Sequence, residues 1–370
     1  MARDRLAHIE IITKLSPIEG KDRIELATVL GWQVIVKKGE FQEGDKCVFF
    51  EIDSLLPESN PNFKFMEKSK FRVKTMRMAG VISQGLVLSP TLFGNGVAGM
   101  DVGADVTEIL QIKKYEKYED VKVQYDTSSL PKWKKKVKYY WPWFFNTFLK
   151  ERVEDFPTYI VPKTDETRIQ AIPEILDTLK GQELFVTEKL DGQSATYILL
   201  KRKIGLPFWS YKFIICSRNL VIPPAKDSSY TRVAKAFDVK KKLIKLYELC
   251  GQPKYVAVQG EVIGAGIQGN KYKRNLEFYV FNLFSGTHDR EDCHKYEELS
   301  KSVGFNVVPR LPSVPAQEEP LTIDYLVQLS GNEKSVLNPD AEREGIVLRT
   351  KDSKHSFKVI NPNFLLKYDE

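Results

Sequence analysis

The stretch Thr187-Glu188-Lys189-Leu190-Asp191-Gly192 lies between two runs with strand-type patterning. Alternating and β-branched residues predict strands at Leu184–Thr187 and Ala195–Leu200, which places Lys189 at a strand end. The pattern Lys-x-Asp-Gly is weak evidence when taken alone. Asp-Gly between strands is also an ordinary hairpin turn, and Lys189 would then be a solvated flank.

Five further segments follow in order, and together with them the Lys-x-Asp-Gly segment becomes significant evidence. Each brings a charged or aromatic side chain to a strand or its end. They are Ser217-Arg218-Asn219, Val258–Gly264 with Glu261, Phe278–Asn282 with Phe281, Glu344–Arg349, and Ser356–Ile360 with Lys358.

The chain outside these segments divides into two parts of different character. Residues 5 to about 125 contain short strand runs separated by Gly, Pro and Asp turns, which predicts an all-β module, plausible as a small barrel. These runs are Leu6–Thr13, Ile24–Val29, Trp32–Val36, Cys47–Ile52 and Val81–Leu88. Residues 151–370 alternate helical and strand patterns, which predicts a larger α+β domain. Its helical candidates are Ile172–Lys180, Tyr230–Leu249, Lys295–Val303 and Thr322–Leu329, and its further strands are Phe213–Ser217, Tyr255–Gly260, Glu277–Leu283 and Gly345–Arg349.

Positive charge is concentrated between these parts. The chain has 56 Lys and Arg against 49 Asp and Glu, a net charge of +7. Residues 111–150 hold ten lysines and four acidic residues, so most of the excess is local. In 126–150 a lysine run with Lys132, Lys134, Lys135 and Lys136 passes into aromatic residues, a combination suited to single-stranded or nicked nucleic acid. The alternative is a solvated linker followed by an aromatic anchor packed on a domain.

Other classes of protein are disfavoured. The N-terminus is charged, and the apolar stretch Val137–Leu149 is short and broken by Pro142, so no export signal or membrane span is predicted. The four cysteines show no Cys-x-x-Cys spacing, which indicates reduced thiols and an intracellular, cytoplasmic location. Only Cys293 and His294 are adjacent, a spacing too loose to indicate a metal site.

The ordered set resembles motifs I, Ia, III, IIIa, IV and V of the covalent nucleotidyltransferases. It is most similar to ATP-dependent RNA ligases of the Deinococcus/Naegleria type. Asp22–Phe41 and Phe50–Pro57 resemble the N-terminal module of these enzymes, and Pro162–Gln170 resembles the segment before their nucleophilic lysine. The resemblance implies a multidomain fold: an N-terminal all-β OB-like barrel (1–125), a basic and aromatic linker (126–150), and a C-terminal α+β nucleotidyltransferase domain of ATP-grasp-like ligase type (151–370).

The resemblance also implies roles for individual residues. Lys189 would be the nucleophile that forms lysyl-AMP, and Lys358 would contact the α-phosphate. ATP and Mg²⁺ or Mn²⁺ would be bound, with Glu344 and Glu261 as metal ligands. The nucleotide-binding set would be Glu188, Asp191, Gly192, Arg218, Glu261, Phe281 and Lys358, with Phe281 stacked on adenine. Two departures from the family pattern are Asn282, where an aspartate is common, and Ile360, where a second lysine is common.

The chemistry of these residue types agrees with the implied roles. A lysine amine attacks phosphorus only when neutral, and at pH 7 about one in two thousand is neutral. We therefore expect Lys358, a divalent metal and desolvation to lower the pKa of Lys189. Glu261 and Glu344 offer the hard oxygen ligands that Mg²⁺ accepts.

The predicted activity is ATP-dependent sealing of RNA with 3′-hydroxyl and 5′-phosphate ends, such as a nicked duplex in RNA repair, by a monomer without a membrane partner. Two alternatives remain. One is a DNA ligase or capping-type guanylyltransferase, which the order of the domains disfavours. The other is a non-catalytic RNA- or tRNA-binding protein, since the first 55 residues resemble tRNA-binding OB modules. Retention of all six motifs disfavours this second alternative.

Overall fold

The computed structural model describes residues 5–115, 132–144, 154–203 and 209–368. In chain order its strands are β1 (Ala7–Pro17), β2 (Ile24–Val29), β3 (Trp32–Lys37), β4 (Lys46–Phe50), β5 (Ser54–Leu55), β6 (Met76–Met78), β7 (Val81–Ser83), β8 (Leu86–Leu88), β9 (Lys113–Lys114), β10 (Thr167–Arg168), β11 (Leu184–Lys189), β12 (Gln193–Lys203), β13 (Trp209–Cys216), β14 (Val221–Ile222), β15 (Tyr255–Ile263), β16 (Glu277–Ser285), β17 (Asn306–Val307), β18 (Arg310–Val314), β19 (Gly345–Thr350) and β20 (Ser356–Ile360). Its helices are α1 (Asn95–Ala98), α2 (Lys132–Tyr140), α3 (Pro142–Phe144), α4 (Ile175–Thr178), α5 (Ser229–Ala236), α6 (Val239–Leu249), α7 (Cys293–Ser302), α8 (Ile323–Gly331) and α9 (Pro362–Tyr368).

The N-terminal part is built on one curved antiparallel sheet, in the order β3-β2-β1-β4-β8. Strand β1 pairs with β4 through its first half and with β2 through its second half, and its register with β2 shifts between Ile12 and Lys14. Such a shift bends a long strand and lets one sheet curl around a core. The core includes Trp32, Phe49 and Phe50, all fully buried. The predicted all-β N-terminal module is confirmed.

The C-terminal part contains two sheets, and each contributes side chains to the candidate site. One has the order β10-β20-β19-β11-β18 and the other β14-β13-β12-β15-β16-β17. Helices α5 and α6 pack on the second sheet, where they share a buried core with β12 and β15. Helix α8 covers the first sheet with apolar residues such as Leu326. This is the predicted α+β domain.

Several predicted elements are shorter or divided. The helix predicted at Tyr230–Leu249 is two helices, because Asp238 has φ 48° and breaks the hydrogen-bond ladder between α5 and α6. The predicted strand Val81–Leu88 is interrupted at Gly85, where φ is 112° and a Cβ atom would lie 2.5 Å from the Phe49 ring. The helix predicted at Ile172–Lys180 is only the single turn α4.

The described part of the basic and aromatic segment contains α2 and α3. Their aromatic side chains are largely solvent-exposed, with exposed fractions of 55% for Trp133, 80% for Tyr139, 70% for Tyr140 and 67% for Trp141. These side chains do not form the packed anchor that was the alternative interpretation. Residues 126–131 and 145–150, the latter including Phe145 and Phe148, lie outside the described residues. Within the described ranges, no helix has the length and apolar character needed to span a bilayer.

Candidate active site

Lys189 is the last residue of β11, and the chain passes from there into the other sheet. Lys189 is paired with Gly345 of β19, whereas β12, which begins at Gln193, pairs with β13 and β15. Asp191-Gly192 is therefore not a hairpin turn. Gly192 is required at this crossing because a Cβ atom there would lie 2.4 Å from the carbonyl oxygen of Val262.

Glu344 meets Lys189 directly. Glu344 immediately precedes β19, and its Oε1 accepts a hydrogen bond from Lys189 Nζ at 2.5 Å. The side chains of Lys189 and Glu344 are 27% and 15% exposed. The second carboxylate oxygen of Glu344, Oε2, is buried and has no hydrogen-bond partner. Leaving a buried carboxylate oxygen without a partner costs free energy. This oxygen is therefore a candidate ligand for a bound metal ion or substrate group.

In the unliganded protein, the charges around Lys189 raise its pKa. Burial is the largest single influence and lowers the pKa, but the charges of Glu344 and Glu261, the hydrogen bond that Lys189 donates to Glu344 and the charge of Asp191 together outweigh it. Burial in turn raises the pKa of Glu261 to about 8, and it also raises that of Glu344. In the unliganded protein Lys189 is thus an ammonium beside the carboxyl groups of Glu344, Glu261 and Asp191.

Lys358 supplies the second cation of the set. It lies on β20 opposite Val347 of β19, one strand away from the Lys189–Gly345 pair. Burial, followed by the charges of Arg168 and Lys189, lowers the pKa of Lys358 to about 7. An anion placed between these cations would reverse that destabilisation, which favours phosphate binding at this point.

The residues present fit a divalent cation. No group of three or more His, Cys, Asp or Glu side chains in the described residues is arranged to hold a metal ion. Glu261 and Glu344 are two carboxylates that influence one another's charge, and Glu344 has the unpaired Oε2. Two carboxylates suffice for Mg²⁺, which usually keeps several waters and takes its other ligands from substrate phosphates.

Asp191 has two partners that the sequence did not indicate. Lys271 Nζ forms an ion pair with Asp191 Oδ2, and both side chains are less than 20% exposed. Tyr272 Oη accepts a hydrogen bond from the backbone N–H of Asp191 at 2.7 Å. Lys271 and Tyr272 belong to a loop between β15 and β16 that carries no strand or helix pattern. Only their position between two motif segments could have drawn attention to them.

A β-bulge sets the position of Phe281. In the pairing of β15 with β16, Gln259 lies opposite Asn282, and the next residue, Gly260, lies opposite Val280. Phe281 is therefore skipped and has no cross-strand partner. Bulges re-aim side chains beside active sites, and Phe281 is partly buried against a cluster that includes Leu190. Asn282 is buried and donates a hydrogen bond to Gln259 Oε1 at 2.8 Å. A neutral amide at 282 thus has a structural partner and needs no charge.

Arg218 and Glu188 are the two remaining residues of the predicted nucleotide-binding group. Arg218 binds both oxygens of Asp165, at 2.6 and 3.3 Å, and its charge acts on the carboxyl of Glu261. The backbone N–H of Glu188 already donates a hydrogen bond to the carbonyl oxygen of Pro309, so it is not available to bond the edge of a nucleotide base. Its side chain is 1% exposed, and Oε1 is buried without a hydrogen-bond partner.

The four lysines predicted to bind RNA do not lie among these residues in the sheets. Lys132, Lys134, Lys135 and Lys136 are all on α2, whereas Lys189 ends β11 and Glu344 directly precedes β19. Cys293, whose proximity to His294 was noted above, is buried and donates a hydrogen bond to the carbonyl of Thr350 at 3.4 Å. Burial raises the pKa of its thiol, which disfavours a nucleophilic role.

Comparison with known proteins gives two family matches along the chain. A family model described as an OB-fold domain matches residues 6–90, and one described as RNA ligase matches residues 182–368. No curated protein matches the chain. Among solved structures, the Naegleria gruberi RNA ligase with PPi is 29% identical, with a TM-score of 0.80 and 99% of each chain covered.

Two variants of the Naegleria gruberi enzyme are similar to the same extent. A variant solved with ATP and Mn is 29% identical, with a TM-score of 0.80, and the alignment covers 98% of this chain and 99% of that one. A variant solved with AMP and Mn is 29% identical, with a TM-score of 0.79 and 99% of each chain covered.

Proposed function

Because the chain belongs to the RNA ligase family, we propose that it joins a 3′-hydroxyl and a 5′-phosphate RNA end through a lysyl-AMP on Lys189 and an RNA-adenylate. ATP dependence and the use of a divalent metal are supported by the similar Naegleria gruberi structures with ATP or AMP and Mn. The observation that carries the proposal is the Lys189–Glu344 ion pair, flanked by Glu261 and Lys358.

Three transfers make up the proposed reaction. The neutral Nζ of Lys189 attacks the α-phosphorus of ATP, an N–P bond forms, and the bond to pyrophosphate breaks. An oxygen of the RNA 5′-phosphate then displaces the lysine and takes the AMP. Finally the RNA 3′-hydroxyl attacks the 5′-phosphorus, AMP leaves, and the hydroxyl proton passes to solvent. These displacements depend on positioning and charge neutralisation.

Each residue of the candidate site has a separate role in this proposed reaction. Glu344 holds Lys189 in place and, with Glu261, would hold the metal, and Lys358 would contact the α-phosphate. A divalent metal, when bound, neutralises charge on the α-phosphate and on the leaving pyrophosphate. Phe281 would stack on adenine, and Arg218, Asp191 and Gly192 would line the nucleotide. Glu188 would meet the base.

The experiment that tests this function is intact-mass spectrometry. The purified chain is incubated with ATP and Mg²⁺, and a 5′-phosphorylated nicked RNA duplex is then added. We expect an adenylyl adduct that the nicked RNA discharges into a sealed strand. An adduct with GTP in place of ATP would indicate capping-type chemistry, and a sealed DNA nick with an unsealed RNA nick would indicate a DNA ligase. The absence of any adduct would overturn the proposal.

We predict that adenylylation accelerates with pH. Carboxylates raise the pKa of Lys189 above its ordinary value, so the neutral fraction is very small at pH 6 and grows by about tenfold per pH unit. The single-turnover rate at saturating ATP and Mg²⁺ should therefore rise by up to about tenfold per unit between pH 6 and pH 8. Quenched-flow adenylylation at several pH values measures this dependence.

Lys358→Arg is the matched control for that profile. An arginine stays charged throughout the range, whereas Lys358, with a pKa of about 7, loses its proton within it in the unliganded protein. The variant should keep the rise due to Lys189 while its apparent affinity for ATP changes less with pH. A rate that is flat between pH 6 and pH 8 would contradict protonated Lys189 as the resting state.

Recognition of RNA by the α2 segment is a second part of the proposal. Residues 132–144 contain no acidic residue, and Lys132, Lys134, Lys135 and Lys136 lie beside exposed aromatic rings. Phosphate contacts by lysine release counterions, and exposed rings stack on unpaired bases. We propose that this segment holds the RNA backbone near the nick or end that is sealed.

Replacing those four lysines by alanine is expected to weaken RNA binding and leave RNA-free adenylylation unchanged. The slope of log affinity against log salt should fall by about 3 to 4, since each phosphate contact contributes about 0.7 on a single strand and about 0.9 on a duplex. Fluorescence anisotropy with labelled nicked RNA at several salt concentrations measures the slope. The matched control replaces the four exposed lysines Lys235, Lys240, Lys241 and Lys245 of α5 and α6. An equal loss in both variants would overturn the assignment to α2.

We propose the domain bounds 1–125, 126–150 and 151–370, action as a monomer, and an intracellular location. The described cysteines are all free thiols, which fits a reducing compartment.

A further inference from the structure

The N-terminal module reaches the edge of the candidate site through one carboxylate. Asp53 of that module forms an ion pair with Arg168, with 3.3 Å between Oδ2 and Nη2. Arg168 lies on β10, which pairs in parallel with β20, and its partner in the register is Lys358. Register partners on adjacent strands project to the same face of a sheet. Arg168 and Lys358 are therefore neighbours, and the charge of Arg168 acts on Lys358.

Asp53 is itself held firmly. Its Oδ1 accepts a hydrogen bond from Arg72 Nη2 at 2.7 Å, and the Arg72 side chain is 6% exposed. The guanidinium of Arg72 lies 3.8 Å from the centre of the Tyr115 ring. The backbone of Asp53 donates to Val73 and accepts from Tyr115, at 2.8 and 2.7 Å, and adopts φ 70°. One carboxylate oxygen is thus committed within the N-terminal module and the other points to Arg168.

The contact belongs to a fitted interface between the two parts of the chain. The backbone N–H of Gly31 donates to Gln170 at 3.0 Å, two residues beyond Arg168. A Cβ atom at Gly31 would lie 2.1 Å from Ile323 Cδ1, so the turn between β2 and β3 sits tightly against the C-terminal part. Leu365 of α9 packs on the N-terminal core. An ion pair across such an interface has a defined geometry, because both of its ends are anchored.

We propose that Asp53 is a positioning residue for lysine adenylylation: by binding Arg168 it fixes that guanidinium beside Lys358. Asp53 touches neither the nucleotide nor Lys189. Its effect passes through Arg168, whose charge faces the region where the phosphates of ATP would lie. This inference rests on the proposed function, since it concerns the rate at which Lys189 is adenylylated.

The test compares Asp53→Asn, Arg168→Gln and the double variant in single-turnover adenylylation without RNA. Asparagine suits this position because it tolerates positive φ and keeps the shape of aspartate. Loss of one charge-assisted hydrogen bond should slow adenylylation or raise the KM for ATP by about tenfold in Asp53→Asn. If Asp53 acts through Arg168, the double variant should be no slower than Arg168→Gln alone.

Controls separate positioning from folding and from the underlying function. Glu40→Gln removes one exposed carboxylate of the same module and should adenylylate like the wild type. Thermal unfolding of each variant identifies loss of fold, and Asp53→Glu should recover part of the rate if the carboxylate matters. A wild-type rate in Asp53→Asn, or a full additional tenfold loss in the double variant, would overturn the inference. Absence of the adduct in the wild type would instead overturn the proposed function.

Discussion

Lys189→Ala is expected to abolish the adenylyl adduct while the chain remains folded. The variant removes the only protein atom proposed to form a bond with phosphorus, so no residual rate is expected from neighbouring groups. Lys358 lies one strand away and is assigned to the phosphate, and Lys271 is committed to Asp191. Intact-mass spectrometry after incubation with ATP and Mg²⁺ measures the outcome. An adduct of the same mass on Lys189→Ala would contradict the assignment of the nucleophile.

Folding should survive this substitution because the carboxylates left behind can take up protons. Burial already raises the pKa of Glu261 to about 8 and raises that of Glu344. Without the Lys189 charge both carboxyls can become neutral near pH 7, so the uncompensated charge is relieved. Circular dichroism on heating should show a cooperative transition close to that of the wild type.

Two further variants sharpen the result. Lys189→Arg keeps the positive charge opposite Glu344 but offers a guanidinium that does not deprotonate in this range, so it should also give no adduct. Lys180→Ala removes an exposed lysine elsewhere in the same domain and should be labelled like the wild type. The pair of results would separate nucleophilicity from charge.

Glu344→Gln is expected to slow adenylylation by about 100-fold or more. The change preserves the shape of the side chain, but it removes the carboxylate that holds Lys189 at 2.5 Å and presents an unpaired oxygen to the site. Loss of a single preorganised electrostatic contact commonly costs about 10²–10³ in rate. Single-turnover adenylylation as a function of ATP and Mg²⁺ concentration measures the loss and shows whether additional metal restores the rate.

The pH profile of Glu344→Gln has a definite direction. Among the charges that raise the pKa of Lys189, Glu344 is the strongest, and it also supplies the hydrogen bond. Its removal should lower that pKa, so the rise of the residual rate should move to lower pH than in the wild type. Glu342→Gln, two residues earlier and paired with Lys334 outside the set around Lys189, is the control and should stay within about threefold of the wild type. A similar rate for Glu344→Gln would exclude its proposed role.

The strand patterns in the sequence predicted the strands that carry or border Lys189, Glu344 and Lys358. Lys189, Glu344 and Lys358 fall on β11, just before β19, and on β20, and the ordered motifs predicted that they belong to one site. Strand ends are predictable because the alternation of apolar residues marks where each strand runs. The Lys-x-Asp-Gly segment alone left a hairpin open, and pairing of β11 and β12 within different sheets excluded it.

Contacts made by loops and across domains were beyond such reasoning. Lys271 and Tyr272 reach Asp191 from a loop without periodicity, and the Asp53–Arg168 ion pair joins residues more than a hundred positions apart. A bulge opposite Gly260 changed the direction of Phe281, although its strand pattern made it an ordinary core residue. These features depend on the packing of elements that are distant in the chain.

The ionisation of Lys189 shows the difference between what the sequence determines and what the tertiary structure determines. The order of residues along the chain determined by itself that the protein has an all-β module ahead of an α+β domain and carries the RNA ligase motifs, because strand periodicity and motif order are local properties. Only the tertiary structure decided that Lys189 rests as an ammonium among Glu344, Glu261 and Asp191. A pKa depends on the sum of desolvation and nearby charges, and that sum exists only once the folded chain brings these groups together.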